Sequence, residues 1–139
     1  MKAKLGEDKI HQFRRSWDIK PDPLSKNNPY HPINIDAYKK VPLEKIPDTE
    51  SLKDTYERVI EYYNLEIKSK LLDNKNILIS AHGNSIRALC KFLFKLDNNK
   101  ISSLEIPTGN PLLIKLDSNQ KIIECRYLDV SRAKDLLVF

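Results

Sequence analysis

The stretch Ile77-Leu-Ile-Ser-Ala-His-Gly-Asn-Ser-Ile-Arg87 decides how the rest of the chain is read. Ile77 to Ala81 is a short apolar run, rich enough in β-branched residues to predict a buried strand. His82 and Gly83 end it, and Asn84 or Ser85 can cap a helix starting at Ile86. A strand, a Gly turn and a helix N-terminus in that order form an anion pocket. The free N–H groups of the first helical turn point outward, and glycine lets a phosphate approach the main chain closely. His82 falls at the carboxyl end of the strand, where open α/β sheets place their ligands. Arg87, one turn inside the helix, either reaches back to a bound anion or faces solvent.

Working outward, Asp48 or Thr49 opens a helix to about Leu71. Leu52, Tyr56, Val59, Ile60, Tyr63, Ile67 and Leu71 form its apolar stripe at helical spacing. Such a stripe is core. Asp73 to Asn76 turns the chain into the strand. Beyond His82 the helix runs to about Leu96 and buries Leu89, Cys90, Phe92 and Leu93. A turn at Asp97–Lys100 and a short helical segment through Leu104 follow. Pro111–Leu116 and Lys121–Leu128 then read as two strands of a hairpin around Asp117-Ser-Asn-Gln120. Ser131 to Phe139 reads as a short terminal helix.

Upstream, a helix spans Gly6 to about Trp17, with Arg14 and Arg15 at its far end. Adjacent arginines are commonly a surface accident, yet a guanidinium fork also grips phosphate or carboxylate bidentately. Pro21 to Pro47 holds all but two of the 8 prolines and has no apolar period. It is a long loop, and such loops in compact domains are functional or mobile. His31 within it has no carboxylate near in sequence and is expected to be exposed. His11 is a helix residue without a visible partner.

At 139 residues the chain is at most one domain, with enough length for a real core. No apolar run approaches membrane-spanning length, and no secretory signal follows Met1. Cys90 and Cys125 form no CxxC, which predicts two reduced thiols in a cytoplasmic protein rather than a disulfide or metal site. The net charge of +5 suits a small polyanionic ligand. A solvated, Lys-rich surface accounts for that excess equally well. The lysines are scattered rather than gathered into a stripe with aromatics, which argues against nucleic acid.

Three ordered blocks carry a family resemblance. Ser80-Ala-His-Gly-Asn-Ser-Ile-Arg-Ala-Leu89 resembles the second histidine motif of the cofactor-dependent phosphoglycerate mutases, members of the histidine phosphatase superfamily. Gln12-Phe-Arg-Arg-Ser-Trp-Asp18 resembles their paired-arginine block. Leu104-Glu-Ile-Pro-Thr-Gly-Asn-Pro-Leu-Leu113 resembles their Asn-Ile-Pro-Thr-Gly-x-Pro-Leu segment. The likeness extends from about Lys4 to Leu128.

The resemblance implies an α/β chain, the C-terminal part of a three-layer fold that lacks the N-terminal central strand. It makes residues 1–139 a single truncated domain whose Pro-rich loop, about 18–48, lies over the substrate mouth. The implied activity is interconversion of 3-phosphoglycerate and 2-phosphoglycerate in glycolysis. The implied cofactor is 2,3-bisphosphoglycerate as phosphoryl donor, with no metal. His82 would stabilise the transferring phosphoryl group, Gly83 and Asn84 would bind phosphate, and Arg14 with Arg15 would bind substrate anions.

The family's nucleophilic histidine sits in an Arg-His-Gly-Glu motif, and its proton donor in a Glu-Arg-His-Tyr-Gly motif. Neither occurs among these residues, whose histidines are His11, His31 and His82. Phosphoryl transfer through a covalent intermediate needs the nucleophile as well as the charge-stabilising groups. The chain alone is therefore expected to be inactive. The alternatives are a non-catalytic phosphate- or phosphoglycerate-binding module, one half of a split enzyme, and a vestigial structural oligomer. A missing strand beside Ile77–Ala81 would leave a vacancy closed by a second copy, by strand exchange or by the hairpin.

Overall fold

The computed structural model describes residues 6–133, which divide into two compact units between Asp54 and Thr55. The terminal helix expected from Ser131 falls largely outside the described residues.

In the first unit α1 (Glu7–Arg15) is capped by Gly6 at φ +79°, a left-handed backbone that suits glycine. Its Glu7 and Asp8 start the helix and Arg14 and Arg15 end it, each sign matched to the helix dipole. The Pro-rich loop is not structureless. It is pinned by three 3₁₀ turns, Pro32–Asn34, Asp36–Tyr38 and Leu43–Lys45. His31 corrects the sequence expectation outright, because it is 0% exposed. Its Nε2 lies 3.0 Å from Asp48 Oδ1, and its Nδ1 accepts the Ile33 N–H at 3.3 Å. The carboxylate comes from 17 residues away, a separation that local sequence does not reveal.

The long helix begins later than Asp48 or Thr49. Ser51 Oγ accepts the Asp54 N–H at 3.3 Å, and Asp54 Oδ2 accepts the Ser51 N–H at 2.8 Å. This reciprocal capping box fixes the start of α2 (Leu52–Tyr62). The hydrogen bonds from Ser51, reinforced by Lys20 at 3.2 Å, hold the Asp54 carboxyl down to about 2 from its ordinary 3.8. A depressed folded-state value contributes stability above the unfolded value and loses it as pH falls toward 2. Ser51→Ala is accordingly expected to cost about 1 kcal/mol at neutral pH. The variant should also lose stability less steeply than the parent between pH 4 and 2, as urea titrations at several pH values would measure.

A π-helical turn, Tyr63–Ile67, joins α2 to α3 (Lys68–Leu72). Tyr63 is buried and meets Phe92 edge-on, with ring centroids 5.4 Å apart. That contact packs Tyr63 against α4 (Gly83–Leu93). Two helix ends close as Schellman motifs. After α3, Asn74 and Lys75 donate to Leu71 and Lys70; after α4, Lys95 and Leu96 donate to Phe92 and Lys91. The turn residues are left-handed, Asn74 at φ +57° and Lys95 at φ +52°. Asparagine adopts this readily, and lysine only at a cost. Lys95→Gly is expected to raise stability by about 1 kcal/mol, read as a denaturant midpoint shift at constant slope.

A short α5 (Asn98–Ser103) is capped by Asp97, which accepts the Lys100 N–H at 2.8 Å. The hairpin follows as expected. Strand β1 (Leu112–Leu116) pairs antiparallel with β2 (Ile122–Tyr127). An irregularity near Ile123 lets Leu112, Ile114 and Leu116 share one face with Tyr127, Cys125 and Ile122. Ala88, Cys90, Ile101 and Tyr127, none more than 1% exposed, form the centre of this unit's core.

One prediction fails in the middle of the chain. Ile77–Ala81 is not a strand, and the sheet among the described residues is the two-stranded hairpin alone. Leu78 is 93% and Ile79 41% exposed. Strand propensity cannot substitute for a ladder: without a neighbour, the apolar run gains neither hydrogen bonds nor burial. The hairpin does not move over to supply one. The architecture is thus mixed helix and small sheet.

Candidate functional site

The N-terminus of α4 is built by His82 itself. His82 is the N-cap, at φ −61° and ψ 146°, and its Nδ1 accepts the Asn84 N–H at 3.3 Å. Its carbonyl accepts from Ser85 at 2.9 Å and Ile86 at 3.1 Å. The cap is therefore neither Asn84 nor Ser85, and the helix starts at Gly83 rather than Ile86. Histidine is absent from the usual list of capping side chains, which is why sequence rules pass it over.

This geometry changes the inventory of donors. Asn84, Ser85 and Ile86 spend their N–H groups on His82, leaving Gly83 N–H as the first-turn donor without an internal acceptor among the described residues. The cap also sets the imidazole tautomer. A ring nitrogen that accepts carries no proton, so the neutral ring bears its hydrogen on Nε2. His82 is exposed and carries that hydrogen at the start of the helix, where the Gly83 N–H also lies. A Cβ built on Gly83 meets nothing within 4 Å, so the space on its side-chain side is open. His82 and Asn84 are exposed, making the feature an open rim rather than an enclosed pocket. A cavity of about 540 Å³ lies instead at the other end of α4, against Phe92, Leu93 and Tyr63.

Arg87 does not face solvent. It is 4% exposed, with Nη1 donating to Asn84 Oδ1 at 3.2 Å and Nη2 to the Ile101 carbonyl at 2.7 Å. Its three-residue spacing from Asn84 was the available signal, since i and i+3 share a helix face.

The Ile106-Pro-Thr-Gly-Asn110 loop turns at Gly109, whose φ of +70° a side-chain-bearing residue would resist. Asn110 is buried and bridges both backbone groups of Asp129, donating at 2.8 Å and accepting at 3.0 Å. Arg132 donates to the Thr108 carbonyl at 2.7 Å and the Gly109 carbonyl at 3.2 Å. Neither clamp was legible, because both partners come from beyond the hairpin.

Sequence-predicted residues fall into two groups. His82, Gly83 and Asn84 meet at the start of α4, in the second unit. Arg14, exposed, and Arg15, half-buried, share the last turn of α1, in the first unit. Among the described residues no cluster of three or more His, Cys, Asp or Glu could hold a metal ion. No described helix is long and apolar enough to cross a membrane.

Cys90 and Cys125 are free thiols. Burial, and to a lesser extent Cys125, pushes the Cys90 thiol up to about 12. It is protonated at neutral pH and inert as a nucleophile. Iodoacetamide at pH 7 is expected to leave Cys90 unmodified in the native protein and to label it after unfolding, which peptide mass mapping would check.

Comparison with known proteins decides the ancestry. Residues 24–128 match the model of the histidine phosphatase superfamily, branch 1. The chain belongs to the histidine phosphatase superfamily. Within it, the chain is 76% identical over 139 residues to a 2,3-bisphosphoglycerate-dependent phosphoglycerate mutase of Pelagibacter ubique, covering 100% of this chain and 58% of that relative. Proteins of the same name from Hyphomonas neptunium and Borreliella burgdorferi are 47% and 44% identical, over 96% and 95% of this chain. They are covered to 55% and 54% of their own lengths. The chain thus spans just over half the length of these histidine phosphatase relatives. The matched region contains the α4 rim and the Thr108–Gly109 loop. The paired arginines precede it and are covered by the pairwise matches.

Proposed function

We propose that this chain carries the charge-stabilising half of a phosphoglycerate mutase site, acting on 3-phosphoglycerate and 2-phosphoglycerate, and turns over neither by itself. The observation that carries this is the α4 rim, where an exposed histidine caps the helix and the space beside Gly83 is open, on a chain without an Arg-His-Gly stretch. His82 Nε2–H and Gly83 N–H donate to phosphoryl oxygens, and the helix dipole adds to their pull. Asn84 adds a side-chain donor. Arg14 and Arg15 take the substrate's carboxylate or phosphate bidentately. The same donors suit 2,3-bisphosphoglycerate, which when bound supplies a phosphoryl group. No metal is required by this donor set.

What the set cannot do is accept the phosphoryl group covalently. A nucleophile's removal costs orders of magnitude in rate even when binding groups persist. Complementation by polypeptide equivalent to the uncovered part of the relatives would supply it. The exposed Leu78 and Ile79 favour that arrangement, because an added strand would pair the backbone and cover the side chains. A second copy would serve the same edge without restoring chemistry. Residues 1–139 work as one domain in this view, predicting a single cooperative unfolding transition. Free thiols and a glycolytic substrate would suit a cytoplasmic setting.

Calorimetry with phosphate, 3-phosphoglycerate and 2,3-bisphosphoglycerate tests the binding. Binding weakened by His82→Ala and by Arg14→Ala is expected; no binding of any of the three would leave a structural oligomer as the better description. Gly83→Ala separates site from scaffold. Alanine is the better helix former by ~1 kcal/mol, so stability should hold or rise. Its methyl would stand in the ligand's space, so phosphate affinity should fall.

A further inference from the structure

We infer that Arg87 is a positioning residue for this anion site, acting through the side-chain amide of Asn84; the inference rests on the phosphate-binding role proposed above. An asparagine amide has an acceptor end and a donor end, and rotation by half a turn exchanges them. Only the donor end is useful to a phosphate. A guanidinium has no acceptor, so the contact from Arg87 Nη1 at 3.2 Å can be made only to Asn84 Oδ1. Arg87 therefore selects one rotamer, in which Oδ1 is spent inside the protein and the Nδ2 hydrogens are left for a ligand.

Arg87 is itself fixed. It is 4% exposed, and Nη2 is held by the Ile101 carbonyl at 2.7 Å, the shorter of the two bonds. Ile101 is fully buried in the centre of α5. The planar fork thus has one arm anchored on α5 and the other on the first turn of α4, which makes the amide's orientation a property of the core. A ligand then meets an amide already turned and pays little to order it.

The lysine substitution illustrates the geometry. One ammonium keeps the charge but cannot hold Asn84 and Ile101 at the separation of a guanidinium fork. Asn84→Asp is the complementary change, since a carboxylate still accepts from Arg87 but has no hydrogen for phosphate and repels it.

The test is a double-mutant cycle on the full chain, reading affinity for 3-phosphoglycerate and inorganic phosphate by calorimetry. Arg87→Met is expected to weaken both about tenfold, the range for one charge-assisted hydrogen bond. In the Asn84→Ala background the same change is expected to cost less than about twofold, because the group it acts through is gone. Arg87→Lys, whose ammonium can still meet one of the two acceptors, should weaken binding with a smaller loss of melting temperature than methionine, which keeps the cycle readable where methionine unfolds the chain. In wild type the Asn84 side-chain amide resonances should shift on adding phosphate, and in Arg87→Lys that shift should shrink. Additive losses, or an unchanged Asn84 shift in Arg87→Lys, would overturn the positioning role alone. Absence of any phosphate-dependent shift or heat in the wild-type chain would overturn the anion site, and this inference with it.

Discussion

His82→Ala is expected to lower the affinity for 3-phosphoglycerate by about tenfold to a hundredfold, the range for one hydrogen bond to a charged group. The same change is expected to lower stability by about 1 kcal/mol, the usual worth of an N-cap. The two losses have different atoms behind them. Stability comes from Nδ1, which accepts the Asn84 N–H at 3.3 Å. Affinity, in the function proposed, comes from the hydrogen that this acceptance leaves on Nε2. His82→Asn separates them, because asparagine is among the strongest N-caps but is too short to reach the same place. Its melting temperature should return to that of the parent while its affinity stays low. Calorimetry and thermal melts on the three proteins would measure both.

Tyr127→Ala carries the largest expected cost to the fold. Tyr127 is 0% exposed in β2, and its hydroxyl donates to the Glu105 carbonyl at 3.3 Å. Burial, then the neighbouring Cys90 and Cys125, raises its phenol to about 12, so it stays neutral and apolar in character. Deleting a buried aromatic ring costs about 3–5 kcal/mol through lost transfer energy and the cavity left behind. Against a total stability of about 5–15 kcal/mol that is enough to unfold a sizeable fraction of the chain. Tyr127→Phe, which removes only the hydroxyl, should cost about 1 kcal/mol. A denaturant midpoint in Tyr127→Ala equal to that of Tyr127→Phe would show that the hairpin's inner face is not core.

The elements that sequence predicted well are those whose stabilisation is local. The hairpin follows from alternation in Leu112–Leu116 and turn residues at Asp117–Gln120. The apolar stripe from Leu52 to Leu71 follows from helical period, and its least exposed members, Leu52 and Tyr63, lie on it. Family membership was legible from three short blocks. What escaped was decided by partners far away in sequence or missing from the sheet. Ile77–Ala81 has the composition of a strand, but a strand exists only as part of a ladder. His31 looked exposed because Asp48 lies 17 residues off. The helix start at Ser51 depends on a reciprocal bond with Asp54, and the start of α4 on a capping histidine. Arg87, Asn110 and Arg132 act by tying separate segments together, a role that residue type alone does not announce.

The site is accordingly sharper and smaller than the sequence suggested. First-turn N–H groups that seemed free are mostly consumed by His82. What is left is one backbone donor, one imidazole N–H and one oriented amide. In the function proposed, these hold and polarise a phosphoryl group without carrying it.

The most direct measurement is turnover of 3-phosphoglycerate to 2-phosphoglycerate by the purified 139-residue chain, primed with 2,3-bisphosphoglycerate and run beside its His82→Ala variant. No turnover above the variant is the predicted result, and turnover by the chain that His82→Ala abolishes would contradict it.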